Sequence, residues 1–297
     1  MTESPDVDPA NPVGAVFEAV TETAADVRGA LAARRSYQDA ENPSGERQLA
    51  ADVYADERLE ERLLGIDAVG SYASEERESV VVAGDGADPA TAGDYHVACD
   101  PLDGSSNLES NNAMGTIVGV YDRPLPAPGS ALVASGYVLY GPITTMVVAR
   151  DGRVTEYLLA DGDREALTTD LTLPSDPVVY GFGGRAPDWQ ADFSGFVEDV
   201  EADRLKLRYG GAMVADVNQV LTYGGVFGYP MLEDAPEGKL RLQFEGHPMA
   251  HVVATAGGAS SDGRRSLLDR TPETLHERSP VFVGNQGLID RLEDALV

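Results

Sequence analysis

Cysteine occurs once, at Cys99, so the chain can form no internal disulfide and is expected to fold in a reducing cytoplasm. Lysine is almost missing: Lys206 and Lys239 are the only two, and every other basic residue is arginine. No apolar run approaches the roughly eighteen residues of a membrane span. The polar, acidic stretch from Met1 to Pro12 lacks a secretory signal's apolar segment and reads as a flexible tail. Positive charge is also scarce, with 22 basic residues against 50 acidic ones and a net charge of −28. A field of that sign repels nucleic acid and anionic membranes and excludes both as partners. An acidic, lysine-poor composition resembles proteins of very salty cytoplasms, where screening weakens self-repulsion. Hydrophobic content of 42% is too high for an acidic disordered chain.

Within those limits the chain is long enough for a large core, as one big domain or two intimately packed halves. Val13, Val16, Phe17, Val20, Ala24, Val27 and Leu31 recur at helical spacing, predicting an amphipathic helix from Pro12 to Arg35. After an Asn42–Gly45 loop, a second helix is expected from Glu46 through Leu63, ending at Gly65. Strands follow over Ala68–Ala73, then Val80–Ala83 and Tyr95–Cys99 as neighbours, then Met114–Tyr121, Leu132–Leu139, Thr144–Ala149 and Val154–Leu159. So many successive strands predict a large mixed or antiparallel sheet. Asp161–Asp176 reads as a polar link, dividing residues 13–170 from 171–297. The second half is expected to hold a strand at Val178–Tyr180 and helices at Trp189–Val200 and Met213–Leu221. Further strands are expected at Val226–Tyr229 and Lys239–Glu245, and helices at Pro248–Ala256 and Leu288–Leu296.

Chemistry concentrates in Asp100-Pro101-Leu102-Asp103-Gly104-Ser105-Ser106-Asn107, behind the strand Tyr95–Cys99. Two carboxylates three residues apart at a strand end suit a hard divalent cation. The Gly-Ser-Ser that follows offers backbone N–H groups and hydroxyls to an anion. Metal ligands beside a phosphate cradle are what metal-assisted phosphate ester hydrolysis requires. Asp-Gly alone would be read as an ordinary turn; the whole octapeptide behind a strand outweighs that reading. Asp52 shares a helical face with Leu49, unusual for a solvated acid, although a lone surface charge is the commoner case. Glu75 and Glu76 gain meaning only if they meet Asp100 and Asp103 in space, since clustered carboxylates need a cation between them. Strand alternation would line up Lys239, Arg241, Gln243 and Glu245, to hold phosphate and metal or simply to face solvent.

The octapeptide with Gly115-Thr-Ile-Val-Gly-Val-Tyr121 resembles class I fructose-1,6-bisphosphatases. So do Ala134–Gly141, Met213-Val-Ala-Asp-Val217, Tyr223–Pro230 and Gly238-Lys-Leu-Arg241, and the likeness runs from about Val13 to Asn285. The Asp-Pro-x-Asp-Gly core is shared with inositol phosphatases, but Phe244–Ala250 stands where those carry a Trp-Asp metal site.

The resemblance implies an α/β fold, a layered α-β-α-β-α sandwich, assembled as a cytoplasmic homotetramer. It implies gluconeogenic hydrolysis of fructose 1,6-bisphosphate to fructose 6-phosphate and phosphate with two to three Mg²⁺ ions, Mn²⁺ being a substitute. Glu75, Asp100, Asp103, Glu245 and the Leu102 carbonyl correspond to metal ligands. Asp52 and Glu76, with Glu46, match the acids acting on the attacking water. Gly104, Ser105, Ser106 and Arg241 match the 1-phosphate site. Tyr209, Tyr229 and Lys239 match the 6-phosphate and sugar pocket, Arg208 reaching in from an adjacent subunit, while Met213 and Asp103 face the sugar. Other sugar or inositol phosphatases of the same fold remain the alternative, as does a silent metal-binding regulator. There are departures too: Glu46 replaces the usual Asp, and Tyr180-Gly-Phe-Gly-Gly184 lacks the customary Asn and Tyr. Asp94 stands where AMP-regulated members carry Lys, so AMP is expected to inhibit weakly or not at all.

Overall fold

A computed structural model describes residues 11–43, 45, 47–84 and 92–296. The expected tail to Ala10 and the candidate Glu46 lie outside the described residues. Helix α1 (Pro12–Ala30) starts where the Asn11 side chain accepts from the Val13 amide, with Pro12 in the first turn. A short 3₁₀ turn over Leu31–Ala33 ends it. Strands β1 (Tyr37–Glu41) and β2 (Arg47–Leu49) form a two-stranded hairpin ahead of α2 (Ala50–Leu63). The second helix therefore begins at Ala50, because Arg47–Leu49 pairs with β1 instead.

Next come β3 (Val69–Ser74), β4 (Val81–Val82), β5 (Tyr95–Asp103), the single-turn α3 (Asn107–Ser110) and β6 (Met114–Tyr121). Strands β7 (Leu132–Tyr140), β8 (Thr144–Arg150), β9 (Arg153–Ala160) and β10 (Asp163–Thr168) follow. They form an eight-stranded sheet in the order β10-β9-β8-β7-β6-β5-β3-β4. All its pairings are antiparallel except β3 with β5. The expectation that Val80–Ala83 neighbours Tyr95–Cys99 fails, since β3 lies between them. The polar stretch read as a link contains β10, whose hairpin to β9 turns on Asp161 and Gly162, both at positive φ. That edge strand buries little, which is why its sequence carries no apolar signal.

The second half comprises β11 (Val179–Phe182), α4 (Ala191–Ala202), β12 (Lys206–Leu207), α5 (Met213–Tyr223) and β13 (Gly225–Tyr229). Then come β14 (Leu240–Arg241), α6 (His247–Thr255), β15 (Ala259–Ser261), β16 (Arg278–Ser279), β17 (Val281–Gly284) and α7 (Gln286–Ala295). A five-stranded sheet runs β12-β11-β13-β17-β15. The predicted strand Lys239–Glu245 is a correction: pairing stops at Arg241 and Leu242–Gly246 winds into a π-helical turn. Gln243 leaves the expected common face, and its Oε1 accepts from the Ala127 amide.

Side-chain alternation builds the layers. On β7, Ala134, Val138 and Tyr140 pack with α1 and α2, while Tyr137 faces α5 and α6. On β8, Met146 and Val148 take the first side and Val147 and Ala149 the second. In the smaller sheet, Phe227, Val281 and Val283 face α5 and α6, while Val226 and Phe282 face α4 and α7. Three apolar cores, the middle one lying on both faces of α5 and α6, thus join five layers, helix, sheet, helix, sheet, helix, the α-β-α-β-α sandwich expected. Full burial of each large side chain, such as Phe17 or Phe282, contributes about 1.5–3 kcal/mol.

Candidate active site

The octapeptide does not follow a strand end; β5 runs through Asp103. Asp100 pairs with Ile117 and Asp103 with Gly115, so β5 carries one residue more than β6 between the two carboxylates. That bulge re-aims side chains that simple alternation would have separated. The Leu102 amide donates to Asp100 Oδ1 (3.0 Å) and holds the turn. Gly104 then adopts φ +71, and a Cβ there would lie 2.3 Å from the Ala212 Cβ, so only glycine fits.

Parallel pairing of β3 with β5 brings the next acid. Ser74 sits opposite Cys99, and the Glu75 amide donates to the Cys99 carbonyl (3.1 Å), so the chain after β3 emerges beside Asp100. Glu245 arrives from the π-helical turn, its Oε2 accepting from the Arg241 amide (2.6 Å). Carboxylate oxygens of Glu75, Asp100 and Glu245 lie within 4.8 Å of one another, all three side chains buried. The Arg241 guanidinium ion-pairs with Glu75 Oε1 at 2.9 Å. Burial, then the neighbouring Glu75 carboxylate, pushes both Asp100 and Glu245 well above the usual carboxylate range. Three buried acids crowd one guanidinium, and an all-oxygen donor set suits a hard divalent cation. The site chemistry therefore fits a metal ion.

Asp103 lies near this cluster but points along the second half. Its oxygens accept from the Met213 (3.3 Å) and Val214 (2.7 Å) amides at the start of α5. Burial lifts it to about 7 even though those two amides favour its charged form. Asp52, in the first turn of α2, accepts from the Leu49 amide (2.6 Å) and is buried, so the surface-charge reading of it fails. Glu76 is raised to about 8, by burial first and then by the Asp52 and Glu75 carboxylates.

A cavity of about 580 Å³ collects these groups. Asp52, Glu75, Glu76, Asp100 and Glu245 line it, with Leu102, Asp103, Gly104, Ser105 and Ser106. Tyr209, Met213, Tyr229, Lys239 and Arg241 line it as well. The Lys239 ammonium lies 5.8 Å from the Tyr229 ring centroid, a cation–π arrangement that concentrates positive charge there. Arg208 is exposed and does not line the cavity of its own chain; its Nη1 donates to the Leu207 carbonyl. Residues not singled out from the sequence also reach the cavity, namely Tyr37, Asn42, Arg47 and Gln48 from the β1–β2 hairpin. Gln48 Nε2 donates to Glu76 Oε2 (2.5 Å). No local pattern marks Gln48, because it sits in β2 and its partner Glu76 is 28 residues away.

Comparison with known proteins agrees with this geometry. Residues 14–166 match the family model described as fructose-1-6-bisphosphatase, N-terminal domain, and residues 173–297 match its C-terminal domain. A Natronomonas pharaonis protein named fructose-1,6-bisphosphatase class 1 is 67% identical over 288 residues, covering 97% of this chain and 99% of the relative. A Halobacterium salinarum protein of the same name is 59% identical over 290 residues, covering 97% and 98%. The crystal structure of Leishmania major fructose-1,6-bisphosphatase in holo form superposes with a TM-score of 0.89 at 28% identity, covering 97% of this chain and 95% of that one.

Proposed function

The chain belongs to the class 1 fructose-1,6-bisphosphatases, phosphoric monoester hydrolases, and on that premise we propose that it cleaves the 1-phosphate of fructose 1,6-bisphosphate with magnesium. One observation carries the reading: a buried three-carboxylate cluster and a second, cationic and phenolic subsite share one cavity. A monophosphate would leave Lys239, Tyr209 and Tyr229 without a purpose. In this reading residues 13–170 supply most of the metal and catalytic groups, and residues 171–297 most of the substrate-binding groups, with Glu245 and Arg241 crossing from the second half to the metal and 1-phosphate side.

Glu75, Asp100 and Glu245 would hold the metal, with Asp103 and the Leu102 carbonyl beside them. Two to three Mg²⁺ ions, or Mn²⁺ in their place, would activate water and neutralise charge on the phosphate and the leaving alkoxide. The backbone and hydroxyls of Gly104, Ser105 and Ser106, with the Arg241 guanidinium, bind the 1-phosphate oxygens and fix their orientation. Asp52 and Glu76 orient the attacking water, and Glu76 accepts its proton; a carboxylate held near neutrality is matched to that task. Met213 and Asp103 position the sugar, and Lys239 with the two tyrosines holds the 6-phosphate. Arg208, exposed on its own chain, completes that pocket in the neighbouring subunit of a homotetramer.

Phosphate release from fructose 1,6-bisphosphate, sedoheptulose 1,7-bisphosphate and inositol 1-phosphate, with Mg²⁺ or with chelator, at low and multimolar salt, tests the reading. Fructose 1,6-bisphosphate should be preferred and chelator should abolish turnover. Preference for inositol 1-phosphate overturns the substrate assignment, and full activity in chelator overturns the metal.

A further inference from the structure

The peptide at Gly210 is gripped on both sides by residues outside the cavity. Its carbonyl accepts from Asn107 Nδ2 (2.8 Å) and from Asn112 Nδ2 (3.0 Å), while its amide donates to Asp216 Oδ1 (2.7 Å). Asn107 is the last residue of the octapeptide, and its Nδ2 also donates to the Ala113 carbonyl (2.8 Å). Asp216 stands in the first turn of α5, and Asn112 just precedes β6. Contact continues on either side of that peptide. Gly211 adopts φ +81, and a Cβ there would lie 3.3 Å from Asn107 Oδ1. Gly104 abuts Ala212 so closely that a methyl group would collide.

Taken together, these contacts fasten the Arg208–Met213 segment, which carries the sugar-facing residues, directly onto the turn that carries the 1-phosphate donors. We propose that Asn107, Asn112 and Asp216 are positioning residues that fix the separation between the two phosphate subsites by clamping the Gly210 peptide. The proposal rests on the functional reading above. None of the three lines the cavity, so they act through Tyr209 and Met213. Two primary amides converge on one carbonyl, and such a pair loses its geometry when either donor becomes an acceptor. Preorganising both ends of a double-headed ligand lowers the ordering needed on binding, so loss of the clamp weakens substrate capture more than it slows chemistry.

Asn107→Asp keeps the shape and turns the donor into an acceptor facing the Gly210 and Ala113 carbonyls. The expected result is exchange of the Gly210 and Gly211 amides at least about tenfold faster, with the rest of the chain unchanged. KM for fructose 1,6-bisphosphate should rise by about tenfold, the scale of one lost buried hydrogen bond, with a smaller effect on kcat. Asp216→Ala should speed the same two amides, and Asp216→Asn, which keeps an acceptor oxygen, should restore them. Should Asn107→Asp fail to fold, Asn112→Ala carries the same expectation. Wild-type exchange and KM in a folded Asn107→Asp protein overturn the proposal, as does a change in kcat with KM untouched. Amide exchange needs no substrate. A wild-type protein inactive on fructose 1,6-bisphosphate, with exchange behaving as expected, sinks the functional reading and leaves the clamp standing.

Discussion

Replacing Glu245 by Gln removes one charge from the Glu75–Asp100–Glu245 cluster while keeping an oxygen to accept the Arg241 amide. At the cluster's separation of up to 4.8 Å, two carboxylates repel by roughly 3 kcal/mol at an effective dielectric of about 20. Protonation relieves part of that repulsion in the metal-free protein. Burial and the neighbouring Glu75 carboxylate raise Asp100 and Glu245 well above the ordinary carboxylate values of 3.8 and 4.5. Groups raised in this way contribute stability that is fully present below about pH 4 and is lost as pH rises through the folded pKa. Metal-free Glu245→Gln should therefore be more stable than wild type at pH 8, by about 1–3 kcal/mol or roughly 2 °C in Tm per kcal/mol, with the gap closing toward pH 4. Magnesium should reverse the order. At a hundred times its Kd the ion adds about 2.7 kcal/mol to wild type, and the variant should lose most of that increment and at least about 100-fold in activity. Thermal melts at pH 4 and pH 8, in chelator and in Mg²⁺ at constant ionic strength, give all four comparisons. A variant that melts below wild type without metal, or gains the same increment from Mg²⁺, refutes the cluster as a metal centre.

Gly183→Ala would place a Cβ 2.2 Å from the Tyr229 ring, so the ring must move, and KM for the bisphosphate should rise about tenfold in steady-state kinetics; an unchanged KM would remove Tyr229 from the pocket wall. Gln48→Leu deletes the donor to Glu76, and kcat at saturating Mg²⁺ should fall about tenfold; full kcat would show that Glu76 needs no such hold. Asp216 is raised by burial from 3.8 to about 7, so wild type should lose stability relative to Asp216→Asn as pH rises from about 4 to 7. The ceiling is about 4 kcal/mol, near three pKa units at 1.36 each. Denaturant midpoints at pH 4 and pH 8 check this, and parallel pH profiles would exclude a buried, titrating Asp216.

Much of this protein follows from local rules. Helix α1 is legible because Val13, Val16, Phe17 and Val20 repeat at the pitch of a helix lying on a sheet. Strands β6 to β8 are legible because both of their faces are largely buried, leaving long apolar runs between turns. The octapeptide announces cation and anion chemistry because Asp, Gly and Ser place carboxylates, a left-handed turn and free amides within a few residues. Edge strand β10 escapes that logic because it buries too little to leave a pattern, and β2, three residues long, is too short to show one.

What only the tertiary structure decided is which distant groups meet. Glu75 joins Asp100 through parallel pairing of β3 and β5. Glu245 joins them because a π-helical turn interrupts a sequence that alternates like a strand, and core packing around Phe244 and Gln243 outweighs local preference. Asp52 reads as surface charge until the start of α2 is set against the cavity, where the side chain is buried. The grip on Gly210 joins residues about a hundred positions apart. Periodicity records which face of each element is dry, whereas a site depends on the register and crossings that bring those faces together.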